Sequence, residues 1–397
     1  MRLKEVLSKY FKGDKVIWGV VFVLSAFSLL AVYSSTGTLA YKYQEGNTAY
    51  YIIKHFVLLA TGLGIIFITH LIPYKYYSRL SQLFLYLSIF LLGITLVMGT
   101  SLNQASRWLT LPGIGLTIQT SDFAKLALIM YLARVLSLRQ DDKKINDFNG
   151  IFVSLILPVV IVCGLIMPAN LSTAVILGVT AFLLMFIGRV KIKYLAGIAI
   201  VGLMAIALLF AGAKISGKDI WRIGTWENRI ENFVKGESGD NYQVEQSKIA
   251  IATGGFFGKG PGNSTQRNFL PHPYSDFIFA IIIEEYGFIG GFIVLTLYLF
   301  LLYRAGVIVR KSTRTFAAFL AIGLTISLVF QAFINMGVAV NIFPVTGQTL
   351  PLVSMGGSSI LFTGIAFGII LSVSRSIEKT EEVIPEPETE VESETEE

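Results

Sequence analysis

Apolar runs of about 17 to 25 residues, separated by short polar connectors, recur along this chain from one end to the other. A helix of that length spans the hydrocarbon of a bilayer while satisfying its own backbone groups, which few other conformations can do there. Ten such runs are read, at residues 16–33, 51–72, 80–98, 122–138, 151–167, 170–187, 194–212, 276–303, 315–340 and 357–374. Composition agrees, since 54% of the 397 residues are hydrophobic and the mean hydropathy is +0.67, well beyond the range of soluble domains. The expectation is an all-α polytopic membrane protein of about ten transmembrane helices. It forms one domain over residues 1–377, and no soluble catalytic module remains to be placed.

Basic residues orient this bundle, because Lys and Arg in short loops stay on the cytoplasmic side. Arg2, Lys4, Lys9, Lys12 and Lys15 precede the first run, and Lys75, Arg79, Arg139, Lys143, Lys144, Arg189, Lys191, Lys193, Arg304, Arg310, Lys311 and Arg314 fall in alternate connectors. The other short connectors hold few, chiefly Lys42 and Arg107. Both termini are therefore expected in the cytoplasm, with the first run as a signal anchor, since no small-residue cleavage site follows it. The net charge of +6 conceals a division: ten Glu lie at or after Glu378, and residues 378–397 read as a disordered acidic cytoplasmic tail. A single cysteine, Cys163, excludes an intramolecular disulfide.

One connector is long. Residues 213–275 face outside in this topology, and a loop of that length tends to be functional. Trp226, Ile230 and Phe233 fall at helical spacing in "WENRIENFVKG", and "YQVEQSKIAIA" is a second helical segment. The glycine-rich "GGFFGKGPGNS" that follows either contacts a phosphate through backbone N–H groups or serves as a plain connector; it lacks the P-loop GK[ST].

The loop ends at Asp276, on the threshold of the eighth run after Pro271 and Pro273. A carboxylate there either caps the helix or, partly desolvated, acts as a general base. Glu284 and Glu285 lie further along the same run, suited to an ion relay or to a buried polar network. Arg107, beside Trp108, is an interfacial cation for a phosphate group or for lipid head groups. Lys125 falls one turn into the fourth run, where it pairs with Asp122 or lines a polar cavity. His55, His70 and His272 are scattered and build no zinc motif.

Taken in order, "YSST" at Tyr33, "SRWL" around Arg107, "QTSDFAKL" from Gln119, "QSKIAIATGGFFGKGPGNSTQ" from Gln246, "FLPHPYSDFIFAIIIEEYGFIGG" around Asp276 and "FPVTGQTLPLVSMGGSS" from Phe343 resemble the SEDS family of polytopic peptidoglycan polymerases, typified by RodA and FtsW. The opening "FKGDKVIWGVVFVLSAFSLLAVYSST" looks more like the division-type members. The resemblance implies a peptidoglycan glycosyltransferase that polymerises lipid II at the outer face of the bacterial cytoplasmic membrane, with Asp276 catalytic and Arg107, Lys125 and Gln246 binding substrate. It also implies a divalent cation, magnesium or manganese, as cofactor and a class B penicillin-binding transpeptidase as partner. The chain departs from the family at "PHPY", where His272 and Tyr274 stand at the places of a Glu and a His, and at Asn170, where an acid is usual.

A transporter of lipid-linked precursors is the alternative, since the ten-helix layout and the intramembrane Glu284 and Glu285 would suit one; no internal repeat supports it. For the partner, the small-residue patch "NMGVAVNIFPVTG", with Gly337 and Ala339, is a candidate docking surface, with packing inside the protein as the other possibility.

Overall fold

The computed structural model describes residues 11–37, 39, 45–98, 100–102, 105–110, 117–140, 147–216, 223–235 and 242–383. A helix coincides with each of the ten expected runs: α1 (Lys15–Ser35), α2 (Thr48–Leu71), α3 (Tyr74–Met98), α4 (Thr120–Leu138), α5 (Phe148–Ile166), α6 (Leu171–Ile187) and α7 (Ile192–Ser216), then, beyond α8 (Ile223–Lys235) and α9 (Tyr242–Gly254), α10 (Ile278–Lys311), α11 (Thr315–Ala339) and α12 (Gly357–Val383). Seven of these are long and apolar enough to cross a membrane. Among the others, α4 carries Asp122, Lys125 and Arg134 within its span. The long loop is partly helical as its periodicity predicts, in α8 and α9.

Two features depart from the expectation. Residues 100–119 contain a small antiparallel sheet, β1 (Thr100–Leu102), β2 (Ala105–Thr110) and β3 (Thr117–Gln119), in the order β1-β2-β3 with Trp108 opposite Gln119. The second concerns the acidic tail, which does not begin at Glu378: α12 continues to Val383, and the Gly13 N–H donates to Glu378 Oε2 at 2.8 Å. That bond gives the first tail carboxylate a partner beside Asp14, which caps α1 by accepting from Val16 N and itself takes Arg304 Nη2 at 2.5 Å. Residues 384–397 lie outside the described ones.

Packing follows membrane rules. With no hydrophobic drive between helices in lipid, close approach of small residues supplies the contact. On α12, "GIAFG" faces α2 so tightly that a Cβ on Gly368 would lie 1.7 Å from Thr69 Oγ1. In α5 a π turn, Phe152–Ile156, precedes Pro158, whose missing N–H interrupts the regular ladder. The segment between α11 and α12 is irregular over residues 344–356, yet Gln348 and residues 350–354 are buried in protein. Irregular backbone survives in such a bundle only where protein or a polar cavity satisfies it, and here it does so beside the candidate site.

Candidate active site

Three positions four residues apart on α11, Gln331, Asn335 and Ala339, share one helix face and organise this site. At the first, Lys125 Nζ of α4 donates to Gln331 Oε1 at 3.0 Å while pairing with Asp122 Oδ1 at 2.8 Å. Gln331 passes its own amide proton to the Thr349 carbonyl at 2.9 Å, and the Thr349 and Ser359 hydroxyls meet at 3.1 Å. Between these groups lies a cavity of about 30 Å³, room for a water, lined by Asp122, Lys125, Gln331, Ser359 and Thr363. One turn on, Asn335 Nδ2 donates to the carbonyls of Asp276, at 2.9 Å, and Gln348, at 2.7 Å. The Gln348 amide in turn reaches Thr173 of α6 at 2.8 Å. At the third position the Ala339 carbonyl accepts from Ser247 Oγ at 2.7 Å, which seats α9 and the half-buried Gln246 next to it.

Asp276 sits in a turn just before α10, whose first residue is Ile278 and whose cap position is Phe277, without a side-chain cap. Its carboxylate is half-buried, accepts from Ser275 Oγ at 2.8 Å and lies against Gly347, where an added Cβ would be 3.6 Å from Oδ2. Gly347 has φ +67°, a conformation that favours glycine at the turn beside the carboxylate. The backbone behind Asp276 is pinned: Ser354 Oγ donates to the Ser275 carbonyl at 2.6 Å and Met355 N to the Tyr274 carbonyl at 2.9 Å. The remaining variant residue of this approach, His272, is exposed, its Nδ1 3.4 Å from the Tyr274 hydroxyl.

The other two acids of α10 have a different fate. The helix breaks at Gly287 (φ 68°, ψ −169°), and the glycine-rich loop closes on the break backbone to backbone, with Phe288 N donating to Gly255 O at 2.9 Å and Gly260 N to Glu285 O at 2.9 Å. Glu284, fully buried, accepts from Lys259 Nζ at 2.6 Å, Thr265 Oγ1 at 2.8 Å, Thr265 N at 3.0 Å and Gln266 N at 3.2 Å, and also from Ser264 Oγ. Glu285 accepts from Ser264 N at 3.2 Å and from the Ser34 hydroxyl. The anion these backbone N–H groups cradle is therefore the protein's own carboxylate. Of the two sequence readings of the loop, contact with a substrate phosphate and connector, the structure supports neither as written: it is a strap fastened to buried acids. A relay through Glu284 is equally disfavoured, because its oxygens already accept from four residues, Lys259, Ser264, Thr265 and Gln266.

Of the expected residues, Asp276 and Lys125 thus converge through α11, and Gln246 lies on the helix docked to the same face. Arg107 has its backbone in β2, and its side chain lies outside the described ones. Its strand belongs to a sheet tied to the site, since Gln119 N donates to Ser358 Oγ at 3.0 Å. Both sequence readings of Lys125 hold, as it pairs with Asp122 and lines the cavity. Of the two readings of the patch at 335–347, packing inside the protein holds at Gly337 and Ala339, which are buried, and a Cβ on Gly337 would lie 2.5 Å from the Phe343 ring. Sequence reasoning missed Gln331, Asn335 and Gln348; two amides at i and i+4 in an otherwise apolar run were the available signal.

Comparison with known proteins agrees in extent. The family model described as cell cycle protein, covering FtsW, RodA and SpoVE, matches residues 14–379. A probable peptidoglycan glycosyltransferase FtsW of Trichlorobacter lovleyi is 32% identical over 384 residues, 94% of this chain and 97% of that protein. Stage V sporulation protein E of Bacillus subtilis is 33% identical over 91% of this chain and 97% of its own length. Among solved structures, a chain from a peptidoglycan synthase complex that coordinates polymerization and crosslinking is similar at a TM-score of 0.68 and 26% identity, covering 92% of this chain and 98% of that one. The rod shape determining protein RodA of Thermus thermophilus is similar at a TM-score of 0.64 and 26% identity, over 92% and 97%.

Proposed function

This chain belongs to the FtsW/RodA/SpoVE family of integral membrane proteins, and from that premise we propose that it is a peptidoglycan glycosyltransferase polymerising lipid II at the outer face of the bacterial cytoplasmic membrane, in the manner of the division-type members. The observation that carries the reading is the single face of α11 that joins the Asp276 backbone to the Lys125 ammonium through Asn335 and Gln331. Together they tie a half-buried carboxylate and a cation to adjacent turns of one helix.

Chemistry follows from that pairing. Asp276 takes the proton of the acceptor sugar's 4-hydroxyl as that oxygen attacks the donor's anomeric carbon; the bond from that carbon to the pyrophosphate oxygen breaks, and configuration inverts. Lys125, with Arg107 from the neighbouring strand, stabilises the charge that collects on the departing undecaprenyl pyrophosphate. Gln246, on α9, bears on substrate positioning. Among the described residues no group of three or more His, Cys, Asp or Glu gathers to hold a metal. A divalent cation would accordingly bind through the substrate's phosphates with one or two carboxylates, the usual habit of magnesium.

Cross-linking of the strands is a separate acyl transfer, and a solved structure similar to this chain comes from a peptidoglycan synthase complex that coordinates polymerization and crosslinking, so a class B penicillin-binding transpeptidase is the partner this function requires. Purified protein given lipid II should produce glycan strands, and Asp276→Asn protein of the same monodispersity should not. Polymer from the Asp276→Asn variant at the parental rate would overturn the assignment of the base.

A further inference from the structure

Directly behind the Asp276 turn, the irregular segment carries a strained residue, Leu352, with φ +63° although it has a side chain. A buried non-glycine residue in this conformation is strained and persists only where its surroundings over-determine it. Here the carbonyls on both sides of it are held. Tyr298 of α10 donates its hydroxyl to the Pro351 carbonyl at 2.6 Å, and Ser28 of α1 donates to the Val353 carbonyl at 2.8 Å. Ser28 in turn lies 2.8 Å from His55 Nε2 of α2, and Ser28, His55, Tyr298 and Val353 are all buried.

The proton count fixes the direction of this chain of bonds. A serine hydroxyl has one hydrogen and Val353 O can only accept, so that hydrogen goes to Val353 and Nε2 must carry the imidazole proton. His55 Nδ1 is then an acceptor, and it has no partner among the described residues. The next two residues after Val353 are the ones that grip the loop end: Ser354 Oγ donates to Ser275 O and Met355 N to Tyr274 O.

The geometry points to His55 and Ser28 as positioning residues for Asp276: the imidazole N–H orients the serine hydroxyl, the hydroxyl holds the strained turn at Val353, and the turn holds the backbone of Tyr274 and Ser275. Neither residue touches the site itself. This inference rests on the reading of the protein as a lipid II polymerase for its kinetic consequence, though not for its structural one.

Its test uses full-length protein in detergent or bilayer, with Ser28→Ala, His55→Leu, His55→Gln and the Ser28→Ala/His55→Leu pair. Two readouts are taken, lipid II polymerisation kinetics and hydrogen exchange of the amides at 350–355. Ser28→Ala and His55→Leu are expected to lower kcat about ten-fold with KM within about two-fold, the signature of a misplaced reacting group rather than lost binding. His55→Gln, whose amide donates from the place of Nε2, is expected to recover most of that loss, and the double variant to be no worse than either single one. Exchange at 350–355 should quicken in Ser28→Ala and His55→Leu while the amides of α11 keep their protection. Unchanged exchange together with unchanged kcat, losses that multiply in the pair, or a His55→Gln as impaired as His55→Leu would overturn the proposal. A parental protein that makes no polymer would instead refute the proposed function, and the exchange arm would still decide whether His55 and Ser28 hold the turn.

Discussion

Within ten residues of chain, Asp276 and Glu284 are two carboxylates bound for opposite ends. Glu284 is fully buried and accepts hydrogen bonds from Lys259, Ser264, Thr265 and Gln266, so nothing of its charge is left for a substrate. Asp276 is half-buried, accepts from Ser275 Oγ and lies beside Gly347. Its surroundings fix its backbone, through Asn335 on the carbonyl, while the residue stays partly exposed. The comparison teaches that an acid at a membrane boundary is read by its surroundings: fully buried and saturated with N–H and ammonium groups it is a fastening, and partly exposed with its main chain pinned it is placed to act as a reagent.

The largest expected effect breaks the comparison at its reactive end. Asp276→Asn should lower polymerisation of lipid II by about a hundred-fold or more, the usual contribution of a general base, while the thermal midpoint stays near the parental value. A variant equally inactive but poorly folded would move Asp276 into the structural class with Glu284.

Glu284→Gln should do the reverse and act on stability. Removing the charge leaves Lys259 and a set of backbone donors without their anion, a loss of about 2–3 kcal/mol measured as a lowered unfolding midpoint in detergent. Gly287→Ala sharpens the point, because φ 68° is combined with a Cβ that would lie 2.2 Å from the Phe256 carbonyl. It should fail to give monodisperse protein at all.

Smaller effects are expected one bond further out. Lys125→Met should lower kcat about ten- to hundred-fold through lost stabilisation of the leaving pyrophosphate, and Gln331→Leu only about three- to ten-fold, since it orients Lys125 without carrying charge. Equal losses from the two would mean that the amide contributes more than orientation.

The smallest perturbation tests the side of the membrane on which both acids lie. In a Cys163→Ser background, Lys248→Cys on α9 should react with an impermeant thiol reagent in intact cells and Lys191→Cys should not. The reverse pattern would put Asp276 on the cytoplasmic side and leave lipid II out of reach.

Much of the fold was legible because membrane physics is one-dimensional: the run lengths that span a bilayer are written in order, and a helix coincides with each of the ten runs. Charged residues in those runs, Asp122, Lys125, Glu284 and Glu285 among them, announced themselves by their expense in lipid. What each is for did not follow, because a carboxylate's role depends on which donors the fold brings to it, and those of Glu284 come from residues 18 to 25 positions away in a loop. Likewise Gln331 and Asn335 are ordinary amides in the sequence, and only the packing of α11 against α4, α10 and the irregular segment makes them the join between Lys125 and Asp276. Sequence by itself determined that this chain spans a membrane many times and which side chains are costly there. Tertiary structure alone decided which partners met each of those costs and which acid stayed partly exposed beside the site, because hydrogen bonds between distant segments exist only once the helices have packed.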